Sequence, residues 1–152
     1  MAEALSISIH AKTCSGCRMC EQVCVFRHER EFNPRRARIK VLINEREGVN
    51  APLLCRQCKT CISACRRGAL SWDETIGVVR VDAERCNDCG LCIKACEHGA
   101  IQTDPITGVV NICDLCDGDP ECLKWCPEAV LVLSDGSGAE SPVAGAALGP
   151  AH

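Results

Sequence analysis

Sixteen of the chain's 152 residues are cysteine, and all of them fall into four groups of four. The groups are Cys14, Cys17, Cys20 and Cys24; Cys55, Cys58, Cys61 and Cys65; Cys86, Cys89, Cys92 and Cys96; and Cys113, Cys116, Cys122 and Cys126. The first three are spaced C-x2-C-x2-C-x3-C, whereas the fourth, C-x2-C-x5-C-x3-C-P, carries three extra residues before its third cysteine. Such density exceeds the ~8–10% that marks a disulfide scaffold in short secreted chains. Yet Met1 to Thr13 offers no basic n-region, apolar h-region or twin arginine. The expected compartment is therefore the reducing cytoplasm, where thiolates persist as metal ligands.

Structural zinc sites usually join two C-x2-C or C-x2-H pairs across a longer stretch. Three cysteines within seven residues, with a fourth four positions on, suit a [4Fe-4S] cubane better: three thiolates wrap one cluster and the fourth reaches another. Sixteen ligands at four per cubane give four [4Fe-4S] clusters and leave no thiol over. The large-side-chain core is thin, with Phe26, Phe32, Trp72 and Trp125 as the only aromatics and no tyrosine. The formal net charge of -3 counts thiols as neutral. Sixteen thiolates and four cubane cores at roughly +2 each carry it to about -11. That charge argues against nucleic acid as a partner. No apolar run approaches the ~18–20 residues that a bilayer crossing needs.

An internal repeat organises the chain. Repeats two and three continue alike after their last cysteine, as Arg66-Arg67-Gly68-Ala69-Leu70 and Glu97-His98-Gly99-Ala100-Ile101. Each then predicts a hairpin: Ala69 to Trp72 with Val78 to Asp82, and Ala100 to Thr103 with Val109 to Ile112. Short helices are expected between third and fourth cysteines, ended by Gly68, Gly99 and, in the last repeat, Pro127. Repeat one lacks the Gly-Ala step; it predicts a longer helix, a turn at Asn33-Pro34 and a strand from Arg38 to Ile43. Repeat four predicts a terminal strand from Ala129 to Leu133. The fold class is α+β: two pseudo-symmetric bacterial 2[4Fe-4S] ferredoxin-like lobes with short helices and short β-hairpins, spanning residues 1–133. Residues 134–152, rich in Gly, Ala, Ser and Pro, read as an irregular tail docked on a partner.

Motifs two and three are the most alike and are adjacent, so they are expected to share a lobe. One cluster would take Cys55, Cys58, Cys61 and Cys96, and its mate Cys86, Cys89, Cys92 and Cys65. Motifs one and four would form the other lobe, with Cys14, Cys17, Cys20 and Cys126 on one cluster and Cys113, Cys116, Cys122 and Cys24 on the other. The alternative is sequential pairing, one with two and three with four.

Basic residues surround motif two (Arg56, Lys59, Arg66, Arg67) and acidic ones motif four (Asp114, Asp117, Asp119, Glu121, Glu128). The motif-two cluster is therefore expected to be the easier to reduce, unless solvent screens these charges. His28 and His98 are spare donors, but sixteen thiolates already fill sixteen positions, so surface or helix-end roles are expected. Trp72 and Trp125 are expected to shield clusters from water. The stretch from Arg27 to Arg46 is a candidate docking face, although Glu29, Glu31 and Glu45 interleave with its arginines. Neither a nucleotide-binding glycine loop nor a spare nucleophilic cysteine is present, which points away from a catalytic role.

Cys14-Ser15-Gly16-Cys17-Arg18-Met19-Cys20-Glu21-Gln22-Val23-Cys24, followed by Arg27-His28-Glu29 and Phe32-Asn33-Pro34, resembles the four-cluster iron–sulfur subunits of multi-subunit oxidoreductases. Subunits of that kind serve dimethyl sulfoxide reductase-type enzymes, formate dehydrogenases, hydrogenases and carbon monoxide dehydrogenases. The short length is most similar to the cytoplasmic subunits that accompany tungsten-containing aldehyde oxidoreductases and benzoyl-CoA reductases. The resemblance covers roughly residues 5–133 and implies the same crossed pairing of motifs one with four and two with three. It also implies single-electron relay between a tungsten- or molybdenum-pterin catalytic subunit and a flavin- or NAD-linked subunit or external carrier. A free-standing polyferredoxin is the alternative, and self-association between copies is compatible with either. The purified protein is expected to show a broad visible absorption bleached by dithionite; a colourless, zinc-loaded protein would rule the clusters out.

Overall fold

The segments between third and fourth cysteines are helical in all four repeats; three of the helices are a single turn, whereas that of repeat one runs on past its fourth cysteine. The computed structural model describes residues 5–135 and 139–141. Its helices are α1 (Met19–Glu29), α2 (Thr60–Ala64), α3 (Leu91–Ala95) and α4 (Glu121–Lys124). Helices of one turn have no stability of their own in water. The four helices pack in two pairs, α1 against α4 and α2 against α3.

Strand β1 (Leu5–Ile9) pairs antiparallel with β8 (Leu131–Asp135), Leu5 opposite Asp135, and β9 (Ala139–Ser141) lies on the outer side of β8. Three hairpins complete the fold: β2 (Lys40–Asn44) with β3 (Val49–Leu53), β4 (Leu70–Asp73) with β5 (Val78–Val81), and β6 (Gln102–Thr103) with β7 (Val110–Asn111).

Two apolar cores result. One gathers Ile7, Val25, Ile39, Leu115, Leu123 and Leu131 around the motif-one and motif-four cysteines. The other gathers Leu70, Ala100, Ile101, Val110 and Ile112 around motifs two and three. Strand β5 serves both. Successive side chains of a strand point to opposite faces, so fully buried Val78 joins the first core and its neighbour Val79 the second. Burying each stabilises by roughly 1.5–3 kcal/mol. Cys113 likewise packs against both cores.

Several boundaries differ from the sequence reading. The strand expected at Arg38 to Ile43 runs over Lys40–Asn44, because Pro34–Arg36 form a 3-10 turn capped by the Asn33 side chain and Ala37 is extended. Strands β1 and β3 are not among the expected strands, although the Leu5-Ser6-Ile7-Ser8-Ile9 alternation of β1 is a strand pattern. Ser134, Asp135 and Ala139–Ser141, which composition assigned to an irregular tail, lie in β8 and β9. Pairing of β8 with β1, and of β9 with β8, rather than composition, holds this segment extended. Residues 136–138 and 142–152 of that tail, and its expected docking on a partner, lie outside the described residues.

The cysteine loops are wound left-handed. The residue before the second cysteine has positive φ in every motif: Gly16, Gln57, Asp88 and Leu115. So does the residue after it: Arg18, Lys59, Gly90 and Asp117. Only Gly16 and Gly90 adopt this without a Cβ penalty, and a Cβ on Gly16 would stand 2.9 Å from the Asn50 side chain. At roughly 1 kcal/mol for each of the six others, the loops hold strain comparable to the stability of a small domain. Removing bound iron with a chelator and an oxidant is therefore expected to unfold the chain cooperatively, with loss of circular dichroism. Ala129 has φ 47° where Gly68 and Gly99 stand in the sister motifs. Ala129→Gly is expected to raise stability by about 0.5–1 kcal/mol in denaturant titration.

Candidate metal centre

Cys14, Cys17 and Cys20 meet Cys126 around a cavity walled by Val41, Pro52, Val130 and Leu131. Cys86, Cys89 and Cys92 meet Cys65 around a second cavity, walled by Ala69, Leu70 and Val110. Each cavity thus combines three cysteines of one motif with the fourth of another. For the other two groups, neighbourhood shows in the thiols' mutual effects. Burial pushes Cys122 well above its ordinary value, and the neighbouring Cys113, Cys24 and Cys116 push it further. Burial pushes Cys55 up to about 11, with Cys58 and Cys96 adding to it.

The fourth cysteine of each motif accepts a backbone N–H. Ala69 donates to Cys65 Sγ at 3.3 Å, Ala100 to Cys96 at 3.4 Å and Val130 to Cys126 at 3.4 Å. The left-handed residue just before each donor turns that N–H back toward the sulfur. In repeat one the helix runs on past Cys24, so no such turn is available. Arg38, brought back by the Asn33-Pro34 turn, donates to Cys24 Sγ at 3.3 Å instead. At Cys65 the N–H groups of Ala69, Arg67, Leu70 and Gly68 outweigh its burial and hold the thiol below its ordinary value.

Burial is the main reason that Cys20 is pushed up to about 12, Cys24 and Cys61 to about 11, and Cys113 higher still. The charges of Arg38 near Cys24 and Arg27 near Cys116 do not reverse this. Four thiolates in such a setting need a positive core among them. A [4Fe-4S] cluster supplies that core, and loading it would release the thiol protons. The donor chemistry therefore fits the group.

The four sites differ in exposure. The second cysteine is exposed in motifs one to three (Cys17, Cys58, Cys89), whereas Cys116 is buried. Cys116 itself sits left-handed, at φ 50°, within the longer loop of motif four. His28 Nε2 lies 3.8 Å from Cys116 Sγ and 3.4 Å from Asp114 Oδ1. Burial, then the charge of Arg38, push the imidazole below its ordinary value, toward the neutral form.

Several expected roles change. The acidic face of motif four is largely neutralised: Asp114 pairs with Arg38 and Arg80, Asp117 with Arg80, and Asp119 and Glu121 with Lys124. Within the arginine-rich stretch, Arg36 is buried and bonded to Glu29, Glu31 and Asp104, so it is not part of a docking face. Trp125 is 53% exposed and lines a surface groove with Met19, Phe26 and Phe32. Trp72 is half-buried beneath the Lys59 ammonium, 3.9 Å from its ring centre.

Two buried polar residues escaped sequence reading because nothing in their neighbours distinguishes them from surface residues. Glu21, fully buried, accepts from Val41 N at 2.7 Å and Arg18 Nε at 2.9 Å, tying α1 to β2. Gln57, 5% exposed, lies between motifs two and four.

Models of the 4Fe-4S dicluster domain match residues 13–70 and 54–100. The polyferredoxin-like subunit of an aliphatic sulfonate oxidoreductase from Pyrococcus furiosus is 42% identical over 129 residues, covering 84% of this chain and 74% of that one. Subunit beta of the NADH-dependent phenylglyoxylate dehydrogenase of Aromatoleum evansii is 37% identical over 83% of this chain but only 29% of its own length. The electron transport protein HydN of Escherichia coli is 30% identical, covering 82% of this chain and 85% of its own. Among solved structures, the BamBC active site complex of benzoyl coenzyme A reductase with benzoyl-CoA contains a chain that is 28% identical. It aligns with a TM-score of 0.54 over 86% of this chain and 79% of that one. Cysteine sets, fold and relatives together place the chain in the 4Fe-4S dicluster family, as a ferredoxin-like electron-transfer protein with four [4Fe-4S] clusters.

Proposed function

We propose that the chain is the non-catalytic electron-transfer subunit of a cytoplasmic oxidoreductase complex, working beside a tungsten- or molybdenum-pterin catalytic subunit and a flavin- or NAD-linked one. The ligand sets are Cys14, Cys17, Cys20 with Cys126; Cys113, Cys116, Cys122 with Cys24; Cys55, Cys58, Cys61 with Cys96; and Cys86, Cys89, Cys92 with Cys65. The observation that carries the reading is the meeting of distant motifs around the two cavities. When bound, the clusters supply one-electron redox chemistry, which lets a two-electron donor discharge in single steps.

The protein's own residues order and tune these sets. Cys113 packs against both cores, and the nearby charge of Cys55 helps push it up after burial, Cys24 and Asp114. The sets of Cys55 and Cys113 are therefore the inner pair of a row, and the two cavities are its ends. Among the described residues no helix is long and apolar enough to cross a membrane. Support for a catalytic partner comes from the relatives, which include an aliphatic sulfonate oxidoreductase subunit and a chain of a benzoyl coenzyme A reductase active site complex; the pterin rests on the motif resemblance alone. A free-standing carrier is the competing reading.

Purification of the native complex with metal analysis tests the assignment: tungsten or molybdenum should co-elute with this chain, and elution of the chain alone would favour a free carrier. Cys126→Ser is expected to perturb the cluster of motif one and leave that of motif three intact, as read by iron content and EPR. Arg80→Ala removes a cation from Asp114 and Asp117. It is expected to lower the midpoint of the motif-four cluster by about 40 mV, equivalent to roughly 1 kcal/mol for one electron.

A further inference from the structure

Gln57 makes contacts in both lobes. Its backbone N–H donates to Cys55 Sγ at 3.3 Å, within motif two. Its side-chain Nε2 donates to the Cys113 carbonyl at 2.6 Å, at the start of motif four. Its Oε1 accepts the Val79 N–H at 2.9 Å, from the strand shared by the two cores. The orientation of the amide follows from its partners, since a carbonyl must face the NH2 and an N–H must face the oxygen. The side chain is buried and the backbone is held left-handed at φ 55°, a conformation that no local preference of glutamine provides. The sister motifs place Gly16, Asp88 and Leu115 at this position. The conformation is common to all four motifs, but the bridging amide belongs to motif two.

We propose that Gln57 is the positioning residue for electron passage between the lobes: it clamps Cys55 and Cys113 at a fixed separation and provides the shortest bonded path from one to the other. The path runs from Cys55 Sγ through the Gln57 backbone N–H and side chain to the Cys113 carbonyl and on to its thiol. Electron tunnelling falls steeply with separation and is better supported by bonds and hydrogen bonds than by van der Waals gaps. A second tie spans the lobes at the other side, where Arg36 of the repeat-one insertion meets Asp104 and the Asn111 amide donates to the Arg36 carbonyl at 3.0 Å. That tie can hold the lobes together without Gln57. Substitution of Gln57 should therefore alter their spacing and coupling rather than dissociate them.

The inference rests on the ligand sets and row order proposed above. The experiment uses the holoprotein with Gln57→Leu, which removes both side-chain bonds, and Gln57→Glu, which keeps the acceptor for Val79 and removes the donor to Cys113. Both are expected to retain the iron content and intralobe spin coupling of the wild type. The magnetic interaction between the motif-two and motif-four clusters, read by EPR of the reduced protein, should weaken in both. Intramolecular electron equilibration after flash photoreduction should slow several-fold. Wild-type coupling and rate in the variants would overturn the role of Gln57. Absence of that interlobe coupling in the wild type would instead overturn the row order, and this proposal with it. Should Gln57→Leu not fold, Gln57→Glu decides the matter alone.

Discussion

Much of this structure depends on a fourth cysteine that lies with another motif's three. Cys126 stands with Cys14, Cys17 and Cys20, and Cys65 with Cys86, Cys89 and Cys92. Two cysteines four residues apart flank a single helical turn, and on such a turn the side chains share a face but are displaced along the axis. The turn therefore reaches two sites at once. Repeats that are far apart in sequence become neighbours in space, which is why α1 packs on α4 and why β1 can pair with β8.

That arrangement imposes conformations the side chains alone would not choose. Left-handed residues flank the second cysteine of every motif, and most of them are not glycine. Burial drives the thiols toward the neutral form, so a metal core is needed to hold them as thiolates. Each fourth sulfur is also supplied with a backbone N–H, by a tight turn in three motifs and by a long detour in the first. Four different local sequences thus solve one electrostatic problem, that of placing a dipole against buried sulfur.

The two cores are joined by polar groups as well as by a shared strand. Arg36 is held by Glu29, Glu31 and Asp104, and Arg38 and Arg80 converge on Asp114. A buried charge is tolerable only with such partners. Burial pushes Asp104 up, but Arg36 and the N–H groups of Ile106 and Thr107 outweigh it and hold its carboxylate below the usual range. A carboxylate depressed in the folded state stabilises fully above its ordinary pKa of 3.8 and loses that contribution as pH falls below it. This junction is therefore secure at neutral pH.

Cysteine count, spacing and repeat similarity were enough to specify four clusters and an α+β ferredoxin-like fold, because metal coordination demands particular ligands at particular intervals. The short helices and the hairpin at Leu70–Val81 were legible for the same reason: the repeats share their Gly-Ala step and their turn residues. Glu21, Arg36 and Gln57 were not, since a polar residue reads as solvated until the chain closes around it. The exposure of Trp125 and the neutralisation of the motif-four acids were equally hidden. Local spacing determines what a cysteine can bind, but which distant groups surround it is decided by long-range packing, because burial and charge pairing exist only once separate segments meet.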